Sequence, residues 1–133
     1  MTVERELPSC PETRATFVAR PGEVPPFVKP QAFAVQNANT GRLARRPRQI
    51  VLGKHGSFSL CGLRWRSFGG ARAYASGTAS IRRGGRRWNP RASVRLSFRI
   101  PEGPDRLIYS VLRYVLHGPV PRGLDRRGFQ FFG

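Results

Sequence analysis

The chain has 133 residues, 39% of them hydrophobic, and carries 24 basic residues against 7 acids, a formal net charge of +17. That length supports one modest core, and no apolar run is long enough to predict a transmembrane helix. Fifteen glycines and twelve prolines argue against long helices and call for many turns.

The basic excess is patterned. Residues 42–100 hold fifteen basic residues and no acid, whereas residues 1–41 hold four of each. Coding bias toward arginine would not remove aspartate and glutamate, so the middle segment is a positive field that attracts nucleic acid, anionic membrane or acidic protein. Cys10 and Cys61 are either one disulfide or two free thiols. Neither stands in a Cys-x-x-Cys, and with only two histidines a structural zinc site is not expected. No cofactor motif is present, and the expected cofactor is none. The start, MTVERELPSC, lacks a cationic-then-apolar leader. The chain as written is expected in the cytoplasm, or outside the cell if a leader is missing.

In chain order, residues 1–41 carry prolines at positions 8, 11, 21, 25, 26 and 30 and read as a proline-rich extended arm. Short strand-like pieces are expected at residues 16–19 and 32–36. The segment GRLARRPRQ adds Arg42, Arg45, Arg46 and Arg48 as a basic arm or a linker. Residues 42–133 then read as one basic β domain. QIVLG is a short apolar strand. In GSFSLCGLRWRSF, Phe58 and Leu60 share one parity and Leu63 and Trp65 the other. A β-bulge at Cys61-Gly62 would keep all four inward. ARAYASGTASI puts Ala71, Ala73, Ala75, Gly77, Ala79 and Ile81 on one small-residue face, against which something bulky must pack, Trp65 being the natural candidate. RASVRLSFRI alternates Ala92, Val94, Leu96, Phe98 and Ile100 with Arg91, Ser93, Arg95, Ser97 and Arg99, a half-buried strand. RLIYSVLRYVLHG fits either period, and its β-branched and aromatic content favours a strand. GFQFFG reads as a last edge strand. The prediction is an all-β fold, a small antiparallel β-sandwich or barrel-like domain of five to six strands. Its core is expected around Leu63, Trp65, Val94, Leu96, Phe98, Ile108 and Leu112.

From about Arg46, the segments RPRQIVLGKHGSFSLCGLRW, FGGARAYASGTA, ASVRLSF and RLIYSVLRYVLHGP resemble a group of small, mostly uncharacterised secreted β-rich proteins of actinobacteria. Their Gly-Leu-x-Trp, Gly-Gly turn and Ala-rich Gly-Thr strand are matched over roughly two-thirds of the chain. Gly53-Lys54 and RRGGRRWNP stand here where those proteins carry cysteines. The resemblance implies a small antiparallel β-sandwich or barrel-like fold and is silent on activity.

Three functions are weighed on particular residues. The first is a non-enzymatic module that binds a polyanion, RNA or DNA above all, through arginine–phosphate contacts with little base readout. Its candidate residues are Arg82, Arg83, Arg86, Arg87 and Trp88 in RRGGRRWNPR and the strand arginines Arg91, Arg95 and Arg99. Arg64, Arg66 and Arg72 would extend that surface if their strands are neighbours. The bland alternative is a solvated hairpin with Trp88 folded onto the core, beside the ordinary polar face of a sheet. The second function is a secreted or structural β-domain whose basicity serves solubility. The third is a metal-free ribonuclease-type toxin, with His55 and His117 as the acid–base pair. That chemistry requires the two histidines to meet across one substrate.

Overall fold

The computed structural model describes residues 30–132. Thus Cys10, residues 1–29 of the proline-rich segment and the strand-like piece at 16–19 lie outside the described residues. Among the described residues nine strands follow one another: β1 (Gln31–Asn37), β2 (Arg42–Ala44), β3 (Ile50–Val51), β4 (Phe58–Ser67), β5 (Arg72–Arg83), β6 (Arg86–Trp88), β7 (Arg91–Pro101), β8 (Arg106–His117) and β9 (Arg127–Phe131). A 3₁₀ turn, Lys54–Gly56, precedes β4. The ambiguous segment RLIYSVLRYVLHG is therefore strand, as its β-branched content favours.

Strands β1, β3, β4, β5, β7 and β8 are hydrogen-bonded in that order, and β1 pairs with β8 to close a six-stranded barrel. Strand β2 flanks β1, β6 pairs with the end of β5, and β9 extends the sheet beyond β8. The pairings of β1 with β3 and with β8 are parallel, while the other strand pairs are antiparallel. Closure depends on β1, which lies inside the segment read as arm. The barrel therefore includes Gln31–Asn37, and the segment GRLARRPRQ is folded too: Arg42–Ala44 is β2, Pro47 is buried, and the Arg48 carbonyl accepts a bond from the Leu63 amide.

The bulge in β4 is present. Cys61 pairs with Thr78, but Arg64 pairs with Ser76, so one residue is inserted at Gly62, whose φ is +59°. Leu60 and Leu63 are buried on either side of it, as is Cys61. Across the ladder the bulged backbone crowds Gly77, where a Cβ would collide with the Cys61 carbonyl oxygen and press on Leu63. Backbone cannot step aside as a flexible side chain can. Gly77→Ala is expected to lower stability by about 1–3 kcal/mol in denaturant unfolding, and an unchanged midpoint would refute this account of the bulge.

The small-residue face of β5 is the barrel's fitting surface. Ala73 registers with Leu96, Ala75 with Trp65 and Val94, and Ala79 with Leu60. Each small side chain admits a large neighbour into an interior too narrow for two. Trp65 packs half-buried against this core, its indole N–H donating to the Pro47 carbonyl at 2.8 Å. Ala71 lies outside the core, on the exposed turn before β5.

One expected feature of β7 is corrected. Ala92, Val94 and Leu96 are buried, but Phe98 and Ile100 are 70% and 40% exposed, and Ser97 is buried instead. The cause is local: Phe98 has φ of +55°, which turns the strand over at that residue. The partner strand changes parity at the matching level, where Tyr109 and Leu112 are both fully buried, three residues apart. Register places Phe98 opposite Ser110 between the paired rows Ser97–Val111 and Arg99–Tyr109. The Ser110 hydroxyl donates to the Phe98 carbonyl at 2.7 Å and pins the inversion. Beyond it, the Tyr109 hydroxyl accepts from the Gly69 amide (2.9 Å) and donates to the Gly70 carbonyl (2.6 Å), tying β8 to the β4–β5 turn. Burial holds the Tyr109 phenol above its ordinary pKa, against the opposing pull of the Gly69 hydrogen bond and of Arg99.

Candidate nucleic-acid interface

Above the inversion, Tyr74 stands opposite Arg95, Arg95 opposite Arg113, and Arg113 opposite Phe129. The four residues form one row across β5, β7, β8 and β9, roughly 14 Å long at the usual strand spacing. The alternating pattern of β5 and β7 puts Tyr74 and Arg95 on the outer face, because Ala73, Ala75, Val94 and Leu96 fill the inner one. The row floors an open groove of about 510 Å³, with Ser93 and Arg127 among its walls. The adjoining row adds Ser76, Ser93 and Val115 beside Arg127.

Arg64 and Arg66 in β4 border a smaller depression of about 170 Å³ that shares Tyr74 with the first. The guanidinium of Arg66 lies 5.5 Å from the Tyr74 ring centroid, a cation–π contact. Arg72 registers with Ser97. The β4, β5 and β7 arginines thus belong to neighbouring strands. Arg91 lies at the far end of β7, facing His117. Arg99 is set apart from this face: it follows the Phe98 inversion, and its guanidinium donates to the Gly69 carbonyl at 2.8 Å.

Electrostatically this face is unbalanced. Arg95 and Arg113 sit directly opposite each other, a like-charge cross-strand pair that costs stability when left alone. Among the described residues no carboxylate pairs with Arg95, Arg113 or Arg127, and the one ion pair is Arg106 with Glu102 at the β7–β8 turn. The described acids, Glu102, Asp105 and Asp125, all lie in connections and none in a strand. Tyr114, on the inner side beneath Gly128, has a pKa raised by burial and by the nearby Asp125 carboxylate.

The second arginine cluster, residues 82–91, is a tight hairpin. Gly84 and Gly85 both have positive φ, the signature of a two-residue primed turn, and Arg82 and Arg83 register with Arg87 and Arg86. These four arginines and the two glycines surround an open depression of about 400 Å³. Part of their charge is already engaged. Arg82 donates to the His55 carbonyl at 2.7 Å and Arg83 to the Arg122 carbonyl at 3.4 Å. Trp88 is half-buried, packs on the core, and is covered by Arg86 at 4.8 Å from its ring centroid. Its ring is thus not an open stacking face.

The two histidines are not brought together. His55 occupies the left-handed position of the 3₁₀ turn, with its carbonyl on Arg82. His117 ends β8, with Nε2 3.0 Å from the Ser93 hydroxyl. Arg82 lies four residues along β5, roughly 13 Å, from Thr78, whose row leads through Arg91 to His117 three strands away from β4. Histidines so separated do not share one phosphodiester.

Sequence reasoning missed Tyr74, Arg113, Arg127 and Phe129. Tyr74 was legible as the polar-parity residue of an alanine-faced strand. The other three become partners of Arg95 only through the β7–β8–β9 register. No family model matches the chain, and neither curated proteins nor solved structures give a match.

Proposed function

We propose that the protein is a non-enzymatic basic module that binds nucleic acid through arginine–phosphate contacts with little sequence readout. The observation that carries this reading is the directly opposed pair Arg95–Arg113 in an open groove with no carboxylate among its lining residues. Two guanidinium groups so placed repel each other in the free protein. A phosphate between them replaces that repulsion with two charge-assisted, bidentate contacts. Arg64, Arg66, Arg72 and Arg127 surround the pair and broaden the positive field. The hairpin arginines Arg86 and Arg87 add a second basic lobe.

Binding of this kind releases counterions, so affinity for RNA or DNA should fall steeply as salt rises. Equilibrium titration of labelled oligonucleotides at low and high salt tests it. Absence of binding at low salt, or affinity indifferent to salt, would contradict the reading.

A further inference from the structure

Flanking the opposed arginines are aromatic rings. Tyr74 closes one end of the row and Phe129 the other, both lining the groove. Phe129 is 68% exposed and Phe131, two residues along the same face of β9, is 63% exposed. Side chains at i and i+2 of a strand stand about 7 Å apart on one face. Phe131 registers with Val111 and Phe129 with Arg113, so the two rings continue the outer surface beside the arginine pair. Two exposed phenyl rings on an edge strand carry a solvation cost and serve no core.

Resting on the nucleic-acid reading above, we infer that the ligand is single-stranded, with unpaired bases stacked on Phe129 and Phe131 while phosphates lie on Arg95, Arg113 and Arg127; the Tyr74 ring, already covered by Arg66, is not a stacking face. The physical reason is access. In a duplex the π-faces of the bases are covered by their neighbours, and a protein meets only phosphates, sugars and base edges. A single strand exposes those faces, and an aromatic platform on a sheet beside a positive groove takes up both parts of the nucleotide. Here Arg113 stands in register with Phe129 and Arg127 precedes it by two residues on the same strand. The interleaving of cation and ring is what a chain of alternating phosphate and base requires.

The test compares a labelled single strand, the duplex of the same sequence and inorganic polyphosphate, using the full chain and the variants Phe129→Ala, Phe131→Ala and Phe129→Tyr. The single strand is expected to bind tighter than the duplex. Each alanine variant should weaken it roughly five- to 150-fold, leave duplex and polyphosphate affinity within about twofold, and leave the salt slope unchanged, since no charge is removed. Phe129→Tyr should retain affinity, which separates loss of a stacking ring from loss of fold. Equal binding of duplex and single strand, with the alanine variants unaffected, would overturn the single-strand inference while leaving the arginine reading standing. Failure of all three anions to bind at low salt would overturn both. A change in sedimentation from dimer to monomer on Phe129→Ala or Phe131→Ala, with affinity unaltered, would assign the rings to self-association and overturn the inference.

Discussion

Replacing Arg95 and Arg113 together by glutamine is expected to lower affinity for a single-stranded oligonucleotide at least tenfold at low salt. The salt slope should shrink by roughly 0.7, for the one phosphate held between the pair that the variant no longer neutralises. The same substitution should raise stability slightly or leave it unchanged, because it removes a like-charge pair that faces across the β7–β8 ladder. A control removes equal charge elsewhere: Arg42 in β2 and Arg106, already paired with Glu102, both changed to glutamine. If affinity followed net charge alone, the two double variants would behave alike. A local site predicts that only the first loses most of its binding. Fluorescence anisotropy at two or three salt concentrations distinguishes these outcomes.

Tyr109 carries the largest expected effect on stability. Its ring is fully buried and stacks edge-to-face with Phe68, which in turn meets Trp65, so three aromatic rings fill one end of the barrel. Its hydroxyl satisfies both the Gly69 amide and the Gly70 carbonyl. Tyr109→Phe leaves those two groups without that partner and should cost about 1–3 kcal/mol. Tyr109→Ala adds a cavity and should cost about 3–5 kcal/mol, enough to unfold a small domain of ordinary stability. Denaturant unfolding checks both. Equal midpoints for the wild type and Tyr109→Phe would mean that the turn bonds contribute nothing. Since Tyr109 lies in the barrel end, away from the groove, Tyr109→Phe should bind oligonucleotides as the wild type does while it remains folded.

Much of the β structure was legible because it is local. Alternation marked β4, β5 and the first half of β7, and Gly62 marked the bulge by supplying a positive φ where the parity of the apolar residues changes. The inversion at Phe98 had no such mark. A phenylalanine rarely takes positive φ, and RLSFRI continues the alternation past the point where the strand turns over. The piece expected at 32–36 is strand β1, but its role in closing a barrel was not legible, since its partner β8 is distant in sequence and joined to it by parallel pairing. The site follows the same division. The arginines were visible as a run without acids, but the row Tyr74–Arg95–Arg113–Phe129 exists only through the register of four strands. Within the hairpin, sequence left Trp88 open between stacking face and core residue. Its pairing with Ile81 and its cover by Arg86 decide the placement.

The central claim is that an opposed arginine pair in a carboxylate-free groove binds the phosphates of nucleic acid. The most direct measurement is the dependence of affinity on salt, from about 50 to about 200 mM, for the wild type and for the Arg95→Gln/Arg113→Gln variant against one single-stranded oligonucleotide. The account predicts a steep linear fall of log affinity with log salt for the wild type, and a weaker, shallower line for the variant. Two coincident lines, or a wild-type line without slope, would contradict it.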